Sequence, residues 1–176
     1  MNHTVIMEAP AVERALTRMA HEIVEHNPQP EQLAFIGIRT HGGPLARRLA
    51  RKVGQIVGRE FPVGELDISM HRDDLALRDG LPVVGVSDVS FDVTGKMIVL
   101  VDDVLFTGRT IRAALDEIAD FGRPQRIQLA ILVDRGHREL PIRPDYIGKN
   151  VPTAVPERVR VRLVEVDGKD EVVIEK

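Results

Sequence analysis

Apolar positions recur every three or four residues from Ala11 to His26. Val12, Ala15, Leu16, Met19, Ala20 and Ile23 fall on one side of a helix, and Asn27-Pro28 breaks the pattern. A short unbroken apolar run, Leu33 to Ile38, predicts a buried strand, followed by a loop at Arg39-Thr40-His41-Gly42-Gly43. Pro44 suits the first turn of a second helix that runs to about Gly58. Val63, Leu66, Ile68 and Met70 have the looser spacing of a half-buried strand. The segment Asp73 to Gly80, with its leading Arg72, is charged and ends in glycine, which predicts a mobile loop. Met97 to Val101 is apolar without interruption, as a strand covered on both faces requires, and leads through Asp102 to Gly108 into a helix from Arg109 to Phe121. Ile127 to Val133 predicts the next strand. Asp134 to Pro156, rich in Pro, Gly and Arg, reads as irregular, and Val159–Val166 and Glu171–Ile174 flank Asp167-Gly168 as a closing hairpin. Strands alternating with helices give an α/β fold with a mainly parallel central sheet flanked by helices. Ligands bind such sheets beyond the carboxyl ends of strands, where the loops after Ile38 and Val101 fall.

Composition narrows this picture. With 176 residues, no internal repeat and no long linker, the chain is expected to be one domain. Aromatics are only 3%, so the core must be Val, Ile, Leu and Ala, which suits helices on a buried parallel sheet. The absence of cysteine excludes disulfides, thiolate metal sites and thiol nucleophiles. No apolar stretch reaches the roughly 20 residues of a membrane span. The N-terminus lacks the basic start and apolar run of a secretion signal, so a cytoplasmic protein without membrane contact is expected. The net charge of −3 excludes bulk attraction to nucleic acid and leaves only a local patch for it.

The chemistry concentrates in Val99 to Thr110. A buried strand delivers Asp102 and Asp103; Val104, Leu105 and Phe106 follow; then Thr107-Gly108-Arg109-Thr110 opens a helix. A glycine turn at a helix start offers backbone N–H groups and the positive end of the helix dipole to a phosphate. The threonines add hydroxyl donors and Arg109 a charge. Two carboxylates beside a phosphate site repel the phosphate unless the ligand also carries hydroxyls, as ribose does. A bare Asp-Asp before Thr-Gly is also compatible with a simple helix cap, and the Arg39–Gly43 segment with a glycine turn. The histidines have no HxxxH or HxH spacing, so a protein-bound transition metal is not expected.

The twelve residues VLVDDVLFTGRT resemble the 5-phosphoribosyl-1-pyrophosphate (PRPP) motif of type I phosphoribosyltransferases. The resemblance implies that Asp102 and Asp103 hold the ribose 2′- and 3′-hydroxyls and Thr107 to Thr110 the 5′-phosphate, with Val104, Leu105 and Phe106 also in the PRPP site. Ile36 to Gly43 is similar to the family's second phosphate loop, where Arg39 and the amides of Thr40, His41 and Gly42 would grip pyrophosphate. Mg²⁺ would be held mainly through PRPP, and small terminal segments would form a hood over the site. Purine-specific relatives carry an acid before the Thr-Gly pair; Phe106 stands there, which points to uracil as the base.

Further segments, ELDISMHRDDL (Glu65 to Leu75) and QLAILVDRGHRELPIRPDYIGKNVPT (Gln128 to Thr153) among them, resemble the PyrR family of pyrimidine-operon attenuation regulators. The likeness implies uracil phosphoribosyltransferase activity, binding of UMP and UTP, a homo-oligomer, and nucleotide-promoted binding to pyrimidine-operon leader RNA that favours transcription termination. Under it, Thr17, Arg18, His21, Arg138, Arg143 and Lys149 become candidate RNA contacts, and Tyr146 a candidate stacking platform. On their own, the stripe on the first helix reads as a solvated face and the Arg-rich block as a surface loop or substrate hood. Two departures stand out. His41 replaces the usual Arg of the pyrophosphate loop, and His71 the usual Tyr downstream, so turnover is expected to be reduced. A nucleotide sensor without turnover and a purine enzyme without an RNA role are the competing readings.

Overall fold

The computed structural model describes residues 2–69 and 86–176; the expected strand position Met70, the departure at His71 and the expected mobile loop lie outside them. Eight strands and four helices follow the order β1 (His3–Glu8), α1 (Ala9–His26), β2 (Leu33–Ile38), α2 (Gly42–Val57), β3 (Val63–Leu66), β4 (Met97–Leu105), α3 (Arg109–Phe121), β5 (Arg126–Asp134), β6 (Tyr146–Asn150), β7 (Arg158–Arg162), α4 (Val164–Asp167) and β8 (Glu171–Glu175).

A five-stranded sheet in the order β3-β2-β4-β5-β6 is parallel throughout, and β1-β8-β7 form a separate three-stranded antiparallel sheet. Alternation along the buried strands sorts the core into two layers. Leu33, Phe35, Val99, Val101, Ala130 and Leu132 pack with α1, α2 and the antiparallel sheet. Ala34, Ile36, Ile98, Leu100, Leu129 and Ile131 pack with α3 on the other face. All six residues of β2 are buried, as its unbroken apolar run requires.

The expected core elements form, and the differences lie at the edges. β1 and β6 were not expected. β1 buries only Met7 and β6 only Tyr146, so neither carries an apolar run that sequence periodicity could detect. β6 occupies the middle of the segment read as irregular and adds a parallel edge to β5. The closing hairpin pairs as expected, but its first strand stops at Arg162. Asp167 there turns its carboxylate back onto the Leu163 N–H, 2.9 Å away, and Gly168 at φ 79° ends the resulting helical turn.

Arg48 of α2 ties the antiparallel sheet to the body. Its guanidinium donates to both oxygens of Asp170, at 2.7 and 2.8 Å, and to Glu165. The Arg48 contacts hold both carboxyls below their ordinary values of 3.8 and 4.5. Groups with depressed folded pKa values stabilise above their unfolded values and lose that contribution as pH falls through the folded ones. The melting temperature is therefore expected to drop as pH is lowered from about 5 into the acid range, and Arg48→Met to flatten that drop. Thermal melts at stepped pH check it.

Candidate active site

β4 carries its ladder through the acids: Asp102 pairs with Ile131 of β5, and the strand ends only at Leu105. Asp103 faces the start of α2, its Oδ2 3.7 Å from His41 Nδ1. Asp102 is buried and accepts the Asp103 N–H at 2.9 Å; Asp103 accepts the Val104 N–H at 2.8 Å. Each acid thus has one oxygen fixed by the backbone.

The turn that follows is pinned from outside. Gly108 sits at φ 95° directly before α3, a conformation that favours glycine, and an added Cβ would lie 3.4 Å from Ile142. The Thr107 carbonyl accepts the N–H groups of Glu139 and Leu140, and its hydroxyl accepts the Arg109 N–H. Beyond it, the first-turn amides of α3 have no carbonyl four residues back to bond, the arrangement that suits an anion.

A second loop, Arg39 to His41, joins β2 to α2 and contains a cis peptide between Arg39 and Thr40. It lies close against β4 because Gly37 and Gly42 have no side chains. A Cβ on Gly37 would stand 2.2 Å from the Gly42 oxygen, and one on Gly42 2.5 Å from the Val101 oxygen. Together the two loops border a cleft of about 360 Å³ lined by Arg39, Thr40, His41, Asp102, Asp103, Val104 and Thr110. Asp67, Ile68 and Ser69, just past β3, complete it. This cleft lies at the carboxyl ends of β2, β3 and β4, the expected position for a ligand in a parallel sheet.

The phosphoribosyl transferase domain family matches residues 3–162. The bifunctional protein PyrR of Chloroflexus aurantiacus is 59% identical to the chain, covering 98% of this chain and 95% of that protein. That of Thermus thermophilus is also 59% identical, over 95% of this chain and 92% of its own. This chain belongs to the PyrR family of phosphoribosyltransferases. Solved structures give the fold independently. Hypoxanthine-guanine phosphoribosyltransferase of Bacillus anthracis superposes with a TM-score of 0.72 over 99% of both chains at 14% identity. Hypoxanthine phosphoribosyltransferase of Trypanosoma cruzi does so with a TM-score of 0.72 over 97% of this chain and 95% of its own, at 15% identity. The fold is that of the type I phosphoribosyltransferases.

In this PyrR-family chain His41 bridges two carboxylates: Nε2 lies 2.9 Å from Asp167 Oδ2 and Nδ1 3.7 Å from Asp103 Oδ2. Asp167 titrates below its ordinary value, chiefly through the Leu163 N–H and further through His41. Arg39 leans toward β3, donating to the Val86 carbonyl at 2.9 Å and lying 3.4 Å from Glu65. Phe106 is not open on all sides. Arg135 stacks over its ring at 4.0 Å and His137 meets it edge-on at 5.7 Å. Arg109 is paired with Glu139 at 2.9 Å.

The RNA candidates divide. Arg138 turns inward, donating to the carbonyls of Phe106 and Ile142 at 2.9 Å and to Asp134 at 2.5 Å. Its guanidinium therefore fixes the loop after β4 rather than standing free at the surface. Arg135, counted in the basic block, is likewise buried against Thr153 and the carbonyls of Ala154 and Val155. Tyr146 cannot stack a base: it is fully buried, its hydroxyl donates to Gln128 at 2.9 Å, and burial pushes its pKa up to about 12. By contrast Thr17, Arg18, His21, Arg143 and Lys149 are exposed. α1 lies along β6, where Arg18 donates to the carbonyls of Ile147 and Gly148 at 2.7 Å, so the helix stripe and the Lys149 strand share one face. Tyr146→Phe is expected to cost about 1 kcal/mol in a denaturant melt while leaving RNA affinity unchanged.

Sequence reading missed Asp67, Ser69 and Asp167. Asp67 and Ser69 carried a usable signal: Asp-x-Ser after a strand forms the local turn seen here, with the Ser69 N–H donating to Asp67 at 3.0 Å. Asp167 had none, because it reaches His41 across 126 positions of chain.

Proposed function

We propose that the chain transfers the ribose phosphate of PRPP to uracil, giving UMP and pyrophosphate, and that with uridine nucleotide bound it grips pyrimidine-operon leader RNA to favour transcription termination. The observation that carries the reading is the meeting of Asp102 and Asp103 with the Arg39–His41 loop and Thr110 in one cleft. The acids accept the ribose hydroxyls; the Val104–Thr110 turn holds the 5′-phosphate; Arg39 with the amides of Thr40, His41 and Gly42 takes the pyrophosphate. As pyrophosphate leaves, the anomeric carbon gains oxocarbenium character, so the residues act by positioning and electrostatics.

The site fits a Mg²⁺ that comes with PRPP. Each acid has spent one oxygen on the backbone, and among the described residues no group of three His, Asp or Glu side chains forms a metal site. Asp102 and Asp103 are the residues that would face it, and Mg²⁺ would supply neutralisation of charge on the departing pyrophosphate.

Phe106, flanked by Arg135 and His137, offers no carboxylate to take a purine proton, and uracil, acidic at N1, needs less help. The protein is proposed to work in the cytoplasm as a homo-oligomer, which repeats the α1–β6 face. Incubation with PRPP, Mg²⁺ and equal amounts of uracil, hypoxanthine and guanine tests the base: UMP is expected as the main product, and IMP or GMP in excess would contradict it.

A second reading has a specific observation behind it. His41 is held by Asp103 and Asp167, which lessens its pull on pyrophosphate and favours a nucleotide sensor with little turnover. Nucleotide-dependent RNA binding with UMP synthesis at background would select it.

A further inference from the structure

Two of the four basic residues in the Arg135–Lys149 block point into the protein, and the one tyrosine is buried. Arg18, Arg143 and Lys149 stay exposed, and α2 adds further cations beside them. Arg47 and Arg51, with the neutral Gln55 one turn further on, follow one another at intervals of four residues, covering about 12 Å of helix surface, and border two neighbouring grooves. The first, about 580 Å³, continues over Gly54 and Gly58 to Arg59 and Phe61. The second, about 510 Å³, runs past Lys52 to Glu13 on α1 and is also lined by Glu165 and Asp170, both paired with Arg48.

The cations are not equally engaged. Arg47 pairs with Glu65 at 2.5 Å, and Lys52 with Glu13. Arg51 is exposed and has no ion-pair partner among the described residues; Arg59 is exposed and lies over the Phe61 ring, 5.7 Å from its centroid, with no carboxylate partner among them. Unpaired guanidinium groups in open grooves can take phosphate oxygens without first breaking an ion pair. The α2 face is also continuous with the α1 stripe, since Lys52 Nζ donates to Thr17 Oγ1 at 3.1 Å. Cations spread over α2 and the turn after it fit the repeated phosphates of a polymer better than a single small anion.

We propose that the RNA surface extends from α1 onto the outward face of α2 and the turn after it, where Arg51 of α2 and Arg59 just past its C-terminus take backbone phosphates of the bound RNA, with Lys52 at the seam beside Thr17. The proposal rests on the RNA-binding reading above and adds contacts that position rather than read sequence.

Filter binding with UMP present tests it, using a transcript of the source organism's own pyrimidine-operon leader between about 50 and 200 mM salt. The double variant Arg51→Ala/Arg59→Ala is expected to bind about tenfold more weakly, with a log–log salt slope shallower by about 2. Arg123→Ala, in the connection after α3 on the opposite side of the sheet, should keep the wild-type slope. Both variants should make UMP at the wild-type rate, which shows that they fold. Wild-type binding with an unchanged slope in the double variant overturns the proposal while leaving the RNA reading intact. No binding by wild type removes the RNA reading and this extension with it. A changed oligomeric mass of the double variant by light scattering would make the face a contact between copies and also overturn the proposal.

Discussion

Asp103→Asn is expected to lower kcat/KM for UMP synthesis by about 100- to 1,000-fold, the usual cost of losing one preorganised polar group at a reacting centre. The substitution keeps the backbone contact, because the amide oxygen can still accept the Val104 N–H that Asp103 accepts at 2.8 Å. What it removes is the negative charge proposed to accept a ribose hydroxyl and to balance the cationic character developing at the anomeric carbon. It also removes the charge facing His41 at 3.7 Å. Steady-state kinetics with labelled uracil give the first number, and a denaturant melt within about 1 kcal/mol of wild type shows that the loss is chemical. Wild-type turnover in the variant would remove Asp103 from the reaction.

The second large effect is structural in origin and functional in outcome. Gly37 lies beneath the Arg39–His41 loop, where a methyl group would stand 2.2 Å from the Gly42 carbonyl oxygen and 2.6 Å from the Gly43 Cα. Both are backbone atoms, so no side chain can rotate aside. Gly37→Ala is expected to destabilise the fold by about 3 kcal/mol. It should also push the first turn of α2 away from β4, weakening PRPP binding at least about tenfold. Denaturant melts and calorimetric titration of PRPP with Mg²⁺ measure the two parts. A variant as stable as wild type would show that α2 is free to shift there.

Local pattern served best where local physics decides the outcome. β2 and the start of β4 are buried on both faces and therefore apolar at every position, so their strands were visible in composition alone. α1, α2 and α3 show apolar stripes because each lays one side on the sheet. The turn before α3 stood out as a candidate phosphate site because glycine, threonines and paired acids sit within twelve residues. What escaped depends on distant partners. β6 forms only because β5 offers an edge, and the inward turn of Arg135 and Arg138 depends on carbonyls at Phe106, Ala154 and Val155. An arginine in a glycine- and proline-rich segment reads as a surface cation until its acceptors are known, so the inward turn of Arg135 and Arg138 had no local signal. The Asp167–His41 contact is of the same kind: it joins the end of α4 to the loop before α2, which share no local pattern.

Calorimetric titration of UMP against uridine and 2′,3′-dideoxy-UMP tests the central claim most directly, because it separates the phosphate from the ribose hydroxyls. If the Val104–Thr110 turn holds the phosphate and Asp102 and Asp103 hold the hydroxyls, each analogue should bind at least about 100-fold more weakly than UMP, about 2.7 kcal/mol apiece. Uridine and dideoxy-UMP binding as tightly as UMP would contradict the account, since neither the turn nor the paired acids would then be reading the ligand.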